Sequence, residues 1–149
     1  MKKNIVSIQH LAGALFGLMV LGSMVSAQVS VVVGRQSTQT AAASDLKQFF
    51  TGSKLQWEDG EKVVVVEQTG RTISEAFYKS FLGASLPQVH TGWTKLVLSG
   101  QANAPKKCAD DAAVKKTVSE SPNAVGFISS SSLDDSVKEI YRVIAFVRE

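Results

Sequence analysis

Runs of apolar residues separated by polar stretches divide the chain into alternating elements. Residues 29–33 form a β-branched run that ends at Gly34, residues 62–67 contain four consecutive valines, and residues 124–128 form a third apolar run. Continuous apolar runs of this length are typical of strands buried on both faces, as in a parallel sheet covered by helices. The segment 140–147 predicts a last strand, which we expect to be antiparallel to its neighbour.

Segments with helical periodicity alternate with these strands. Helices are expected over residues 41–50, 72–82, 93–98 and 112–119. The segment 83–92, which contains Pro87 and His90, and the polar segment 101–110, which contains Pro105, indicate connections. Strands that alternate with helices predict an α/β fold, with a mixed sheet flanked by helices.

The chain begins with the pattern of a secretory leader, residues 1–27. Two lysines near the start are followed by an almost unbroken apolar stretch at 11–20 and by small residues at 25–27, so we expect cleavage before Gln28. The alternative is a retained membrane anchor, but a span needs about 20 apolar residues. We therefore predict a signal peptide, a periplasmic location and one mature domain at 28–149.

Charge and cysteine content narrow the function classes further. The net charge of +3 includes the two leader lysines, and without the leader 14 Lys and Arg residues face 13 Asp and Glu residues. The remaining basic residues are scattered, so the sequence lacks the basic stripe of a nucleic-acid-binding protein. Cys108 is the only cysteine, which excludes an intramolecular disulfide. It is either a reactive thiol or an incidental surface cysteine.

Residues that carry catalytic or metal chemistry do not occur at suitable spacings. His90 is the one histidine after the leader, and it has no His or Cys neighbour, so neither a metal site nor a Ser-His-Asp arrangement is supported. Asp110 and Asp111 indicate the start of a helix, and the serine run 129–132 indicates a flexible linker. We expect no enzyme activity, no cofactor and no metal.

Four short motifs occur in an order that is recognisable as a set. They are Phe-Phe-Thr-Gly at 49–52, Trp-Glu-Asp-Gly at 57–60, Thr-Gly-Arg-Thr at 69–72 and Ser-Pro-Asn-Ala-Val-Gly-Phe at 121–127, with Trp93, Gly100 and Pro105 between the last two. The series resembles the phosphate ABC transporter substrate-binding proteins over most of residues 29–130. The resemblance implies a single lobe of a type II periplasmic-binding-protein-like fold and an exported solute-binding domain. Full-length members of that family close two lobes around the ligand.

The third motif opens a helix and is the candidate site for phosphate or a similar oxyanion. A helix N-terminus presents unpaired N–H groups to an anion, glycine allows close approach, and arginine can hold phosphate through two hydrogen bonds. The candidate residues in this turn are Gln68, Thr69, Gly70, Arg71 and Thr72. The loop after the first strand, which we expect at the same edge of the sheet, adds Arg35, Ser37 and Thr38.

A second interpretation assigns the same turn a structural role. Thr72 and Glu75 have the spacing of a capping box, which would occupy the donors that an anion needs. Glu67 and Glu75 would also repel a dianion, by about 1 kcal/mol per pair at 4 Å in water. The alternative function is a non-ligand-binding envelope interaction or structural module, with a partner protein or a second copy as its ligand. Trp57 and Trp93 are either core residues or a stacking surface.

Overall fold

The computed structural model describes residues 24–148. In chain order the elements are β1 (Met24–Gly34), α1 (Ala43–Thr51), β2 (Val64–Gln68), α2 (Arg71–Phe77), a π-helical turn (Tyr78–Leu82), α3 (Leu86–Leu98), β3 (Lys106–Cys108), α4 (Asp111–Glu120), β4 (Ala124–Ser129), a 3-10 turn (Ser130–Ser132) and β5 (Val137–Arg148). Within this range no helix combines the length and the apolar character needed to cross a bilayer.

The strands form one five-stranded mixed sheet in the order β3-β2-β4-β1-β5. Strand β2 runs parallel to β3 and β4, whereas β1 runs antiparallel to both β4 and β5. The predicted α/β class, the mixed sheet and the antiparallel last strand are confirmed. The antiparallel direction of β1 has a consequence for the candidate site, because its carboxyl end lies at the opposite edge from the carboxyl ends of β2 and β4.

Most of the predicted leader lies outside the described residues. Its last residues, 24–27, belong to β1 and pair with the end of β5, with Met24 opposite Arg148 and Ala27 opposite Ala145. Cleavage before Gln28 stays a prediction, and it would shorten this outer pair of strands.

Helices α1, α2 and α3 cover one face of the sheet, where aromatic rings fill the core. The ring of Phe77 on α2 stacks on Phe127 of β4 with their centroids 4.2 Å apart. Phe50 on α1 meets Phe77 edge-on at 5.0 Å. Large aromatic rings in such offset and edge-on arrangements bury much apolar area, so these three residues tie two helices to the centre of the sheet.

Both tryptophans belong to this core. Trp57 is 2% exposed and Trp93 is 6% exposed. Their indole N–H groups donate to the backbone carbonyls of Asn123 at 3.0 Å and Phe50 at 2.9 Å, respectively. The core interpretation is therefore confirmed, and the alternative of a ligand-stacking surface is wrong.

Helix α4 covers the other face of the sheet through Val114 and Val118. The helix lies close because β4 carries a glycine beneath it: a Cβ atom on Gly126 would lie 2.8 Å from Val114 Cγ1. This close approach brings the first residues of α4 to the carboxyl ends of β2 and β4, which is where the candidate site lies.

Two segments that the sequence indicated as connections are regular structure. Helix α3 begins at Leu86, because Ser85 and Gln88 form a capping box ahead of it and proline is tolerated in its first turn. His90 therefore lies on a helix. The segment 101–110 contains β3, a three-residue strand held by its pairing with β2.

Candidate functional site

The carboxyl ends of β2 and β4 meet at one edge of the sheet, because these strands are parallel. Helix α2 starts directly after β2, and α4 begins beside the same edge. Together they leave an open cleft of about 520 Å³, lined by Gln68, Ile73, Asp110, Asp111, Ala112, Lys115, Ser129 and Ser132. Clefts outside the carboxyl ends of parallel strands are where α/β proteins usually bind ligands.

The carboxylate of Asp111 lies at the centre of the polar contacts in this cleft. Its Oδ1 accepts a hydrogen bond from Gln68 Nε2 at 2.6 Å and one from the Ser129 backbone N–H at 3.3 Å. Its Oδ2 accepts from the Ser132 hydroxyl at 2.6 Å. Three donors from two separate segments, the end of β2 and the stretch 129–132, thus converge on one negatively charged group.

Gln68 is the best-fixed of these donors. The residue is 5% exposed, and its side-chain amide also donates to the Phe127 carbonyl at 3.4 Å. The Ser74 hydroxyl donates to the Gln68 carbonyl as well, which ties the end of β2 to α2. Gln68, one of the residues predicted for the site, therefore lies in the cleft wall, and its contact with a ligand stays a prediction.

The other residues of the turn 68–72 form hydrogen bonds and a helix cap that differ from those predicted. The backbone N–H and the hydroxyl of Thr69 both donate to the Cys108 carbonyl, at 2.8 and 3.3 Å. The N-terminal cap of α2 is Gly70, and no described side chain caps the helix. The capping box predicted for Thr72 and Glu75 is therefore wrong.

Arg71 and Glu75 instead form an ion pair one helical turn apart. Arg71 Nε lies 2.7 Å from Glu75 Oε1, and both side chains are well exposed. The hydrogen bond that Arg71 donates to Glu75, followed by the charge of Glu75, raises the pKa of Arg71. The Glu75 carboxylate is thus compensated in place, which removes one of the two charges expected to repel an anion.

The Glu67 carboxylate, the second charge that was expected to repel an anion, is directed away from the cleft. Neighbouring residues on a strand point to opposite faces, so Glu67 points to the α3 side while Gln68 points to α4. The side chain of Glu67 is 4% exposed, and its Oε1 lies 2.5 Å from His90 Nε2. Burial, followed by the charge of Glu67, raises the pKa of the nearby Tyr78 hydroxyl.

The loop with Arg35, Ser37 and Thr38 does not join the cleft. Arg35 Nη1 donates to the Asp135 carbonyl at 3.2 Å, and the Ser37 hydroxyl donates to the Pro122 carbonyl at 2.8 Å. Pro122 precedes β4, so the loop lies at the amino end of that strand. The prediction of a shared edge is wrong, because β1 is antiparallel to β4.

Two residues at or near the cleft were misinterpreted from the sequence. The serine run is not a flexible linker, because it forms a 3-10 turn whose last residue, Ser132, contacts Asp111. Cys108 is not a surface cysteine, since it is 7% exposed and its Sγ lies 3.3 Å from the Thr117 hydroxyl. The sequence indicates a helix start at Asp111 but not its role in the cleft, because the donors that surround it come from segments distant in sequence.

Among residues 24–148, no group of three or more His, Cys, Asp or Glu side chains is placed to hold a metal ion.

Helix α4 starts where Asp110 and Asp111 indicated a helix start. Asp110 is its cap, because the Asp110 side chain accepts a hydrogen bond from the Ala113 N–H at 2.9 Å. Asp111 is therefore free of that role and turns to the cleft.

Comparison with known proteins finds relatives in fold only. No protein-family model matches the chain, and no curated protein sequence matches it. A structure from Clostridium perfringens, described as a phosphate ABC transporter substrate-binding protein with bound phosphate, aligns with a TM-score of 0.62 and 17% identity, over 85% of this chain and 59% of that one.

Two further solved structures have the same fold. An ABC-type phosphate transport receptor from Vibrio cholerae aligns with a TM-score of 0.59 and 17% identity, over 83% of this chain and 59% of that one. PstS from Borrelia burgdorferi aligns with a TM-score of 0.57 and 9% identity, over 84% and 58%. The chain thus shares a periplasmic-binding-protein-like fold with part of these structures, and it spans about three fifths of their length.

Proposed function

We propose that residues 28–149 form an exported, periplasmic solute-binding domain, released by cleavage of the leader 1–27. Its ligand is phosphate or a similar oxyanion. The ligand enters the cleft at the carboxyl ends of β2 and β4. The contacting turn consists of Gln68, Thr69, Gly70, Arg71 and Thr72.

The observation that carries this function is the set of donors around the Asp111 carboxylate. An oxyanion site needs donors aimed at one point, and hydrogen bonds to a charged acceptor are about twice as strong as neutral ones. Gln68, Ser129 and Ser132 meet this requirement at distances of 2.6, 3.3 and 2.6 Å. The chain therefore already stabilises an anionic group at this position.

The Glu67 and Glu75 carboxylates, which were expected to repel an anion, both have partners away from the cleft. The Glu67 carboxylate pairs with His90 on the other face of the sheet, and the Glu75 carboxylate pairs with Arg71. Lys115 lines the cleft beside Asp110 and Asp111, and its ammonium group is paired with Asp134. Because the cleft is open, we expect weak binding, with a dissociation constant in the millimolar range.

Thermal unfolding of the exported protein in phosphate, in sulfate and in chloride of equal ionic strength tests the proposal. A ligand at about 100 times its dissociation constant stabilises the folded state by about 2.7 kcal/mol. We expect phosphate to raise the melting temperature by several degrees over chloride. Arg71→Ala should lower this gain, because it removes a cation and leaves Glu75 without its partner.

Lys79→Ala is the matched control, because Lys79 is an exposed cation on the π-helical turn that continues α2. It should keep the full response to phosphate. An equal melting temperature in phosphate and chloride, at high millimolar concentrations of each, would contradict oxyanion binding.

The second candidate function is an envelope interaction module without a small ligand. The observation that favours it is an exposed apolar pair on β5, an outer strand of the sheet. Ile144 is 59% exposed and Phe146 is 60% exposed. Such a strand can pair with a partner protein or with β5 of a second copy. If phosphate and sulfate leave the melting temperature of the protein unchanged relative to chloride, that result would favour the interaction module over oxyanion binding.

A further inference from the structure

The hydrogen-bond donors in the cleft already have an acceptor, and this acceptor, the Asp111 carboxylate, belongs to the chain itself. Asp111 contributes both of its carboxylate oxygens, one to Gln68 and Ser129 and the other to Ser132. These three donors come from β2, β4 and the 3-10 turn, respectively. A free oxyanion in the same position would need the same donors.

The local structure of α4 does not require the Asp111 side chain to lie there. Asp110 caps the helix by accepting from the Ala113 N–H at 2.9 Å. Asp111 is the first residue of the helix, and it is only partly buried. Its side chain can rotate toward solvent without unwinding α4, and such a rotation would free all three donors.

We propose that the Asp111 carboxylate is a tethered anion that occupies the oxyanion site and competes with the free ligand. This inference rests on the function proposed above. A tethered group acts at an effective concentration in the millimolar range or above. The affinity for a free ligand falls by the fraction of molecules in which the site is open. Asp111 therefore sets the ligand concentration at which the domain responds.

The net charge of the cleft also depends on Asp111. Asp110 and Asp111 both line the cleft, whereas the ammonium group of Lys115, which lines it as well, is paired with Asp134. Removing Asp111 frees three donors and also makes the cleft less negative. Both changes favour a phosphate ion.

Calorimetric titration with inorganic phosphate tests the inference on the exported protein and on Asp111→Ala. We expect Asp111→Ala to bind phosphate at least about tenfold more tightly than the unsubstituted protein, because hydrogen bonds to a charged acceptor are then available to the ligand. In chloride the variant should melt at a lower temperature, since Ser129 and Ser132 lose their acceptor and Gln68 loses one of its two. Phosphate should restore most of that loss.

Glu120→Gln is the matched control, because it removes the same charge from an exposed residue at the other end of α4 that does not line the cleft. Its phosphate affinity should stay within about threefold of the unsubstituted protein, which is the scale of one screened surface charge. If Asp111→Ala does not fold, Asp111→Asn keeps the side-chain shape and should show a smaller gain in affinity.

The outcomes distinguish failure of the tethered-anion inference from failure of the proposed oxyanion-binding function. If the unsubstituted protein binds phosphate and folded Asp111 variants bind it equally or more weakly, the tethered-anion inference is wrong and the oxyanion site stands. An equal gain in Glu120→Gln would also overturn the inference, because it would indicate a general charge effect. If neither the unsubstituted protein nor any folded Asp111 variant binds phosphate or sulfate, the proposed function itself is wrong.

Discussion

Asp111 and Lys115 lie one helical turn apart on α4 and line the same cleft. Asp111 accepts hydrogen bonds from Gln68, Ser129 and the Ser132 hydroxyl. The Lys115 ammonium donates to the Ser132 carbonyl at 3.0 Å and to Asp134 Oδ2 at 2.5 Å. Lys115 therefore fixes the turn that carries the Ser132 hydroxyl. At the scale of single residues, the cleft depends on both side chains.

The Lys115–Asp134 pair gives a prediction about acid titration. The hydrogen bond from Lys115, and then those from Ser136, lower the pKa of Asp134 from 3.8 to about 2. In Lys115→Met, whose side chain has similar length and no charge, we expect this pKa to rise toward 3.8. It should not reach that value, because the Ser136 hydrogen bonds remain. Carbon-detected NMR titration of the carboxyl group measures the change.

The sign of the associated stability effect follows from the lowered pKa. A carboxyl group with a lower pKa in the folded state stabilises it above pH 3.8, and this contribution is lost as the pH falls toward 2. Unfolding of Lys115→Met should therefore depend less on pH in that range. Lys116→Met, at the exposed neighbouring position, is the control. An unchanged Asp134 pKa in Lys115→Met would contradict the pairing.

At the scale of elements, strand β2 and helices α1, α2 and α4 follow from the sequence pattern, whereas α3 and β3 do not. The sequence predicts a helix only over residues 93–98, because Pro87 indicates a connection. The helix starts at Leu86, since proline is favoured in a first helical turn. Strand β3 consists of Lys106, Lys107 and Cys108, which have no apolar alternation. Only its pairing with β2 makes it a strand, and such pairing over a distance in sequence leaves no local signal.

The early start of α3 has a measurable consequence, because it brings His90 to the buried Glu67 carboxylate. His90→Ala leaves that carboxylate without its partner, and we expect the free energy of unfolding to fall by about 2 kcal/mol. His90→Gln, which retains a hydrogen-bond donor, should lose less. Urea denaturation at neutral pH measures both changes.

Thr91→Ala is the control for His90→Ala, because Thr91 is the exposed next residue on the same helix. Its substitution should change stability by less than about 0.5 kcal/mol. Equal stability of His90→Ala and Thr91→Ala would contradict a structural role for the Glu67–His90 pair.

At the scale of the whole molecule, the sequence predicted the α/β class, the mixed sheet and one side of the cleft. The error about Arg35, Ser37 and Thr38 arose because the direction of β1 relative to β4 depends on pairing between residues such as Val31 and Phe127. Local patterns carry no information about that direction. The same limit concealed Asp111, since its donors are brought together only by the parallel arrangement of β2 and β4.

The position of bound phosphate tests the central claim most directly. In two-dimensional amide NMR spectra of the exported protein, titration with phosphate should shift the signals of Thr72, Asp111 and Ser129 along a saturable curve. Signals of the loop 35–38, at the opposite edge of the sheet, should move no more than they do in chloride. Shifts concentrated at the loop 35–38, or an absence of saturable shifts at the cleft, would contradict an oxyanion site at the carboxyl ends of β2 and β4.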